Sequence, residues 1–148
     1  MTTLIIPCAG KSSRFPSMKP KWMLTHPNGN LMVQEAMGGL NSSSFDRIII
    51  TIVKEHSEKY EAKLILEQIF NIKKNKKIEI LELDYFTDSQ SQTVYETLIK
   101  KKVRGNFVVK DSDNFVKVNK INYPEFIVGL DINNFSREIF RLKSKCAI

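Results

Sequence analysis

The chain has 148 residues, 42% of them hydrophobic, and a formal net charge of +7 at pH 7. This length and composition fit one globular domain with a buried core, and no apolar run approaches the roughly 18 residues that a membrane-spanning helix needs. Residues 1–3 are not the basic lead-in of a secretory signal, so we expect a cytoplasmic protein that does not act on a membrane.

Short β-rich runs alternate with helix-length segments along the chain, which is typical of a mostly parallel sheet covered by helices. Strands are predicted at residues 3–6, 47–53, 77–83 and 106–110, with a further candidate at 124–132. Helices are predicted at residues 31–40, 57–72 and 93–102. The sequence therefore predicts one α/β domain over residues 1–148, a three-layer α/β/α, Rossmann-like fold.

The positive charge is concentrated in two lysine-rich clusters, at residues 73–77 and 100–104. Each cluster falls where a predicted helix ends, and cations at that end complement the backbone dipole. No aromatic residues interleave with these lysines, which argues against the stacking of nucleic-acid bases there. We expect solvated helix ends and no nucleic-acid partner.

The loop after the first predicted strand has the composition of a phosphate-binding loop. It combines a glycine, two hydroxyls and two cations: Gly10, Lys11, Ser12, Ser13 and Arg14. Backbone amides and cations are what a polyphosphate requires, and ligands of open parallel sheets bind beyond the carboxyl ends of the strands. The spacing fits neither a P-loop, which would need a glycine at Ile5, nor the dinucleotide-binding fingerprint.

Two further features lie in loops that reach the same edge of the predicted sheet. Lys21 is held beside Pro20 and Trp22, and Asp111 and Asp113 directly follow the fourth strand. Taken alone, the first fits an exposed lysine beside a packed tryptophan, and the second fits a solvated turn. Carboxylates placed there can also reach Mg²⁺ bound to phosphate oxygens. The combination with the loop at residues 10–14 predicts binding of an Mg²⁺-nucleotide.

The segment at residues 5–15 (IIPCAGKSSRF), followed by residues 20–24 (PKWML), resembles the amino-terminal motif of a known enzyme family. The motif is an apolar strand, Ala-Gly-x-Gly-[Ser/Thr]-Arg-[Leu/Phe] and then Pro-Lys, and the family is the nucleotidyltransferases of the nucleotide-sugar pyrophosphorylase type. The likeness extends to residues 28–30, to residues 89–93 and to residues 109–114, which resemble the family's strand and Asn-Gly-Asp segment. The resemblance implies the nucleotide-diphospho-sugar transferase fold.

The resemblance also implies a reaction, in which NMP passes from an NTP to a sugar-1-phosphate or similar small phosphate ester and pyrophosphate is released. Its product would serve surface polysaccharide (capsule or lipopolysaccharide) biosynthesis. Arg14 would stabilise the departing pyrophosphate, and Lys21 would neutralise charge at the reacting α-phosphate. Asp113 would hold Mg²⁺, with Asp111 as its neighbour. No catalytic Ser, Cys or His is required.

The remaining residues of the motif are assigned by the same resemblance to the nucleotide. The loop from Gly10 to Arg14 would wrap the triphosphate. The backbone of Cys8 and Ala9, with the loop at Ser89 and Gln90, would contact the base and ribose. His26 and His56 are given no chemical role, and we expect both at the surface or at the start of a helix.

Members of this family depart from the present chain in two respects. Ser12 and Ser89 stand where the family usually has glycines, and both replacements are small. Members usually run well past 200 residues, and their later part supplies the acceptor-binding residues and a second metal-binding aspartate. The chain is therefore expected to lack a carboxyl-terminal acceptor-binding part, and the surface that such a part covers would favour a homo-oligomer.

Two other functions remain open from the sequence. One is a metal-dependent glycosyltransferase that uses an NDP-sugar, in which Asp111 and Asp113 would bind the diphosphate; it leaves Arg14 and Lys21 unexplained. The other is a non-catalytic nucleotide-binding or regulatory module. The base of the NTP, the identity of the acceptor and the activity of the 148-residue chain by itself stay undetermined.

Overall fold

The computed structural model describes residues 1–11 and 17–117, and its centre is a four-stranded parallel sheet. The strands are β1 (Thr2–Pro7), β2 (Arg47–Val53), β3 (Ile78–Leu83) and β4 (Asn106–Val109). They lie in the order β3-β2-β1-β4, and every neighbouring pair is parallel. The four predicted strands and the α/β fold are confirmed; the strand candidate at 124–132 lies outside the described residues.

Four helices surround the sheet within the described part of the chain. They are α1 (Met32–Gly38), α2 (Lys54–Tyr60), α3 (Ala62–Ile69) and α4 (Gln90–Lys100). Short 3₁₀ turns occur at Lys21–Met23 and Ser42–Ser44. None of the helices in these residues is long and apolar enough to cross a membrane.

Two of the three predicted helices differ from the structure in ways that have a local cause. The predicted helix at 57–72 is two helices, because Glu61 takes a left-handed conformation, φ 55° and ψ 30°, that ends α2 before α3 begins. The last helix starts at Gln90 and not at residue 93, because the Ser89 hydroxyl accepts the Gln92 N–H at 3.1 Å and caps the first turn. The polar residues that begin a capped helix are also common in loops, so the sequence does not distinguish the two.

The two faces of the sheet are covered by different helices. Leu4, Ile6 and Ile50 lie on one face and form the main hydrophobic core with Val33 of α1 and Leu66 of α3. Since strand residues alternate between faces, the intervening residues of β1 and β2 point the other way, toward α4. Helices on both faces give the predicted three layers.

Helix α4 is attached to its face of the sheet by polar contacts. The hydroxyl oxygens of Thr51 and Thr97, both buried, are 2.6 Å apart. At the amino-terminal edge of the sheet, Arg47 pairs with Glu79 at 2.6 Å and donates to the Lys101 carbonyl at 3.0 Å. The Arg47 guanidinium, with help from Lys101, holds the pKa of Glu79 down at about 2. These contacts fix the position of α4, and hence of Gln90 at its start.

The Thr51–Thr97 contact predicts a non-additive pair of substitutions. The Thr97 hydroxyl donates to the Thr93 carbonyl at 2.7 Å, so Thr51 is the donor to Thr97. Thr97→Val leaves the buried hydroxyl of Thr51 without its acceptor and should lower the free energy of unfolding by about 1–3 kcal/mol. Adding Thr51→Val removes that unpaired donor, so the double variant should recover most of the lost free energy of unfolding. Denaturant unfolding of the two single variants and the double variant measures this, and simple additivity would contradict it.

Candidate functional site

The loops that follow β1, β3 and β4 meet at the carboxyl edge of the sheet. The Thr87 N–H donates to the Ala9 carbonyl at 3.1 Å, and Gly10 and Thr87 form an isolated parallel bridge. The Lys110 N–H donates to the Ile5 carbonyl at 3.0 Å, which continues the pairing of β4 with β1. Ligands of open parallel sheets bind at this edge. We therefore take it as the candidate site.

Lys21 and Asp113, which the sequence assigns to phosphate and metal, contact each other at this edge. The Lys21 Nζ lies 3.5 Å from the Asp113 Oδ2, and the two side chains are 43% and 40% exposed. The next two residues, Trp22 and Met23, are buried in the core and anchor the 3₁₀ turn that presents Lys21. A cation and a carboxylate thus face the same solvent-accessible space.

Gln90 and Asp111 form a second contact between predicted site residues. The Gln90 Nε2 donates to the Asp111 Oδ1, and the Asn114 Nδ2 donates to the Asp111 Oδ2 at 3.1 Å. Ser89 is adjacent, but its hydroxyl serves as the cap of α4. The start of α4 and the turn after β4 are therefore connected across the edge of the sheet.

Cys8 and Ala9 lie beneath this surface and are both buried. The Cys8 N–H donates to the Thr51 carbonyl at 2.7 Å, and the Ala9 carbonyl accepts from Thr87, so these two backbone groups serve the fold. Burial raises the pKa of the Cys8 thiol to about 12; a hydrogen bond with Ser112 opposes the shift, and the charge of Asp113 adds to it. The thiol is therefore protonated at neutral pH and is not a nucleophile.

Gly10 and Lys11 are exposed at the start of the predicted phosphate loop. An added Cβ at Gly10 would meet no atom of the described residues within 4 Å, so nothing in this part of the protein requires glycine there. The absence of a side chain leaves the backbone open to a ligand. Ser12, Ser13 and Arg14 lie outside the described residues.

The two aspartates after β4 are carboxylates that this edge offers to a cation. Within residues 1–11 and 17–117, no three His, Cys, Asp or Glu side chains converge in a metal-binding group. Mg²⁺ commonly takes one or two carboxylates from a protein and the remaining oxygens from phosphates and water. Asp111 and Asp113 therefore fit a metal shared with a phosphorylated ligand.

The sequence analysis gave no role to Lys110 and Asn114. Their hydrogen bonds hold together the turn at residues 111–114, which carries Asp111 and Asp113. One feature of the sequence could have indicated a role for Lys110. Val108 packs against the core, and Lys110, two residues further on, falls on the same face of the strand. A charged residue at a core-facing strand position is unusual and marks a special contact.

His56 is at a helix start, as predicted, but the alternative of a surface position is wrong. It lies in the first turn of α2 and is only 6% exposed. Its ring centroid is 5.3 Å from that of Phe86 and 6.0 Å from that of Trp22. A histidine that follows a fully buried strand is drawn into the apolar layer by these aromatic neighbours.

The burial of His56 predicts a loss of stability in mild acid. Burial lowers the pKa of His56, with Glu55 opposing the shift and Lys59 adding to it. In the unfolded chain this histidine binds a proton near its ordinary pKa of about 6.5, whereas in the folded chain it does so only at lower pH, so stability falls as pH drops through that value. His56→Phe should reduce the slope of unfolding free energy against pH between about 7.5 and 5. An unchanged slope in the variant would rule out His56 as the cause.

Comparison with known proteins agrees with this fold. No protein-family model matches the sequence, and a search of curated proteins found no match. Among solved structures, the crystal structure of the nucleoside-diphosphate-sugar pyrophosphorylase from Vibrio cholerae matches with a TM-score of 0.60 and 24% sequence identity. The match covers 81% of this chain and 50% of that one, so the chain spans about half the length of that protein. The likeness confirms the nucleotide-diphospho-sugar transferase fold.

Proposed function

We propose that the chain is the nucleotide-binding part of a nucleotidyltransferase, which transfers NMP from an NTP to a small phosphorylated acceptor. The observation that carries the proposal is the contact of Lys21 with Asp113 at the carboxyl edge of the sheet, the edge at which the exposed Gly10 also lies. A cation for phosphate and a carboxylate for Mg²⁺ are the groups that an Mg²⁺-NTP needs. The fold shared with a solved pyrophosphorylase supports the same reaction.

The Lys21–Asp113 contact is suited to exchange for a ligand. Both side chains are about two-fifths exposed, and ion pairs this exposed contribute little, about 0–1 kcal/mol. An arriving nucleotide can therefore take Lys21 onto its phosphate oxygens at small cost. Asp113 would then hold Mg²⁺ together with Asp111, and the metal would supply charge neutralisation at the phosphates.

The chain contributes positioning and positive charge to the reaction. An oxygen of the acceptor phosphate attacks the α-phosphorus, a new phosphorus–oxygen bond forms, and the bond to the β-phosphate breaks with release of pyrophosphate. Lys21 would stabilise the charge that develops at the α-phosphate, and Arg14 the charge on the leaving group. This in-line exchange needs no protein nucleophile, in keeping with the protonated, buried thiol of Cys8.

The acceptor class is proposed as a sugar-1-phosphate, for surface polysaccharide synthesis in the cytoplasm, where NTPs are available. The solved neighbour is named a nucleoside-diphosphate-sugar pyrophosphorylase, which supports this class of acceptor. Since the chain spans half of that protein's length, the activity proposed is that of the enzyme to which such a domain belongs. Its acceptor-binding residues are assigned to the remaining part.

Lys21→Ala tests the proposal directly. Pyrophosphate release is measured with Mg²⁺, a panel of NTPs and a panel of sugar-1-phosphates, and NTP affinity is measured by calorimetry on the same samples. Removal of a charge that stabilises the transition state should reduce turnover by about 10²–10³-fold. Lys74→Ala is the matched control, an exposed lysine in the turn before β3, at the other end of the sheet.

Equal rates in wild type, Lys21→Ala and Lys74→Ala would contradict the assignment of Lys21. Tight NTP binding with no release for any pair of substrates, by a wild-type protein that includes the acceptor-binding part, would instead favour the non-catalytic module. In that case Lys21→Ala should still weaken NTP binding while Lys74→Ala leaves it unchanged, because the same ammonium contacts the phosphates in either function.

A further inference from the structure

A lysine side chain lies buried beneath the turn that carries the two aspartates. Lys110 directly follows β4 and is only 8% exposed. It lies on the face of the sheet where Val108 packs against the main core. Buried lysines are rare because removing an ammonium from water is costly unless its donors are satisfied. The site reaction described above gives this residue no direct role.

The ammonium is satisfied entirely by oxygens of the turn that follows it. The Lys110 Nζ donates to the Asp111 carbonyl at 2.9 Å, to the Asn114 carbonyl at 2.7 Å and to the Asn114 Oδ1. An ammonium has three donors, and these three oxygens match them. The turn is therefore folded around the Lys110 Nζ much as a loop is folded around a bound cation.

The same contacts extend to one carboxylate of the candidate metal site, that of Asp111. Asn114, held by Lys110, donates through its Nδ2 to the Asp111 Oδ2 at 3.1 Å, and Gln90 donates to the Asp111 Oδ1. Asp113 lies between the two residues that the ammonium binds. Loss of the ammonium would release the carbonyls of Asp111 and Asn114 together, and the geometry of both carboxylates would loosen.

An apolar side chain of the same length would occupy this position without the cost of burying a charge. Burial indeed lowers the pKa of Lys110, while the charges of Asp111 and Asp113 oppose the shift. The ammonium therefore stabilises the turn at the expense of its own hydration. Groups that hydrogen-bond to metal ligands orient those ligands and affect the affinity for the metal.

We propose that Lys110 is a positioning residue for the metal site, and that its ammonium sets the arrangement of Asp111 and Asp113 through Asn114. The inference rests on the proposed nucleotidyltransferase function. Lys110 contacts neither phosphate nor metal in this role, because its three donors are directed at the turn. It differs in this from Lys21, whose side chain is 43% exposed at the edge of the sheet.

Lys110→Met removes the charge and keeps the length of the side chain. We expect the affinity for Mg²⁺, titrated calorimetrically in the presence of the NTP that the wild type binds, to fall about 10–100-fold. Affinity for the same NTP without Mg²⁺ should stay within about twofold, because Lys21 and the phosphate loop are untouched. Lys76→Met, an exposed lysine before β3, is the matched control and should leave both affinities unchanged.

Asn114→Ala is the second variant, which keeps the inference testable where Lys110→Met lowers the melting temperature. It removes a side-chain acceptor of the ammonium and the contact with Asp111. It should therefore lower the affinity for Mg²⁺, as Lys110→Met does. In the Lys110→Met/Asn114→Ala double variant the two effects on Mg²⁺ affinity should be clearly less than additive, because both substitutions disrupt one turn. Additive effects would contradict a shared route through Asn114.

The outcomes separate this inference from the function on which it rests. Wild-type Mg²⁺ affinity in folded Lys110→Met and Asn114→Ala would overturn the positioning role and leave the proposed reaction intact. Equal weakening of NTP binding with and without Mg²⁺ would also overturn it, because the residue would then act on the nucleotide site as a whole. A wild-type chain whose NTP binding does not depend on Mg²⁺ would overturn the metal assignment and this inference together.

Discussion

Strand β1 pairs in parallel with β2 on one side and β4 on the other, and the site depends on this arrangement. Its central residues, Leu4, Ile5 and Ile6, are buried because helices cover both faces of the sheet. Parallel pairing brings the carboxyl ends of these strands to one edge. The loop at Gly10, the start of α4 and the turn at Asp111 are therefore neighbours in space while far apart in sequence.

The described residues of this edge form an ion pair and hydrogen bonds with one another. Lys21 pairs with Asp113, Gln90 with Asp111, and Lys110 with the turn between the aspartates. The first pair is accessible and weak, whereas Lys110 is buried and fully hydrogen-bonded. The candidate site thus combines an exchangeable ion pair, Lys21–Asp113, with a buried cation, Lys110. This combination suits the proposed binding of an Mg²⁺-nucleotide to a preformed turn.

Much of the fold was predictable because burial leaves a simple pattern. The apolar run of β2 gave its bounds, Arg47–Val53, without error, and the glycine-containing loop after β1 marked the carboxyl edge of the sheet. The break at Glu61 was not predictable, since a left-handed glutamate has no signature in composition. The start of α4 was missed because its first turn is polar and depends on the cap at Ser89.

The contacts between the candidate site residues were not predictable from the sequence. Lys21 and Asp113 were each chosen for a phosphate or a metal, and nothing in their spacing revealed that they contact each other. Lys110 appeared to be the polar end of a strand, and only the structure shows its Nζ directed into the turn. Such contacts depend on side-chain direction at the end of a strand, which alternation constrains but does not specify.

The most direct test of the proposed nucleotide site is a crystal structure of the chain with Mg²⁺ and a non-hydrolysable NTP analogue. The account predicts that the Lys21 Nζ leaves the Asp113 Oδ2, now 3.5 Å away, and contacts a phosphate oxygen. Asp113 should bind the metal, and the turn around Lys110 should keep its hydrogen bonds. Nucleotide bound elsewhere, or bound at this edge with the Lys21–Asp113 contact intact, would contradict the account.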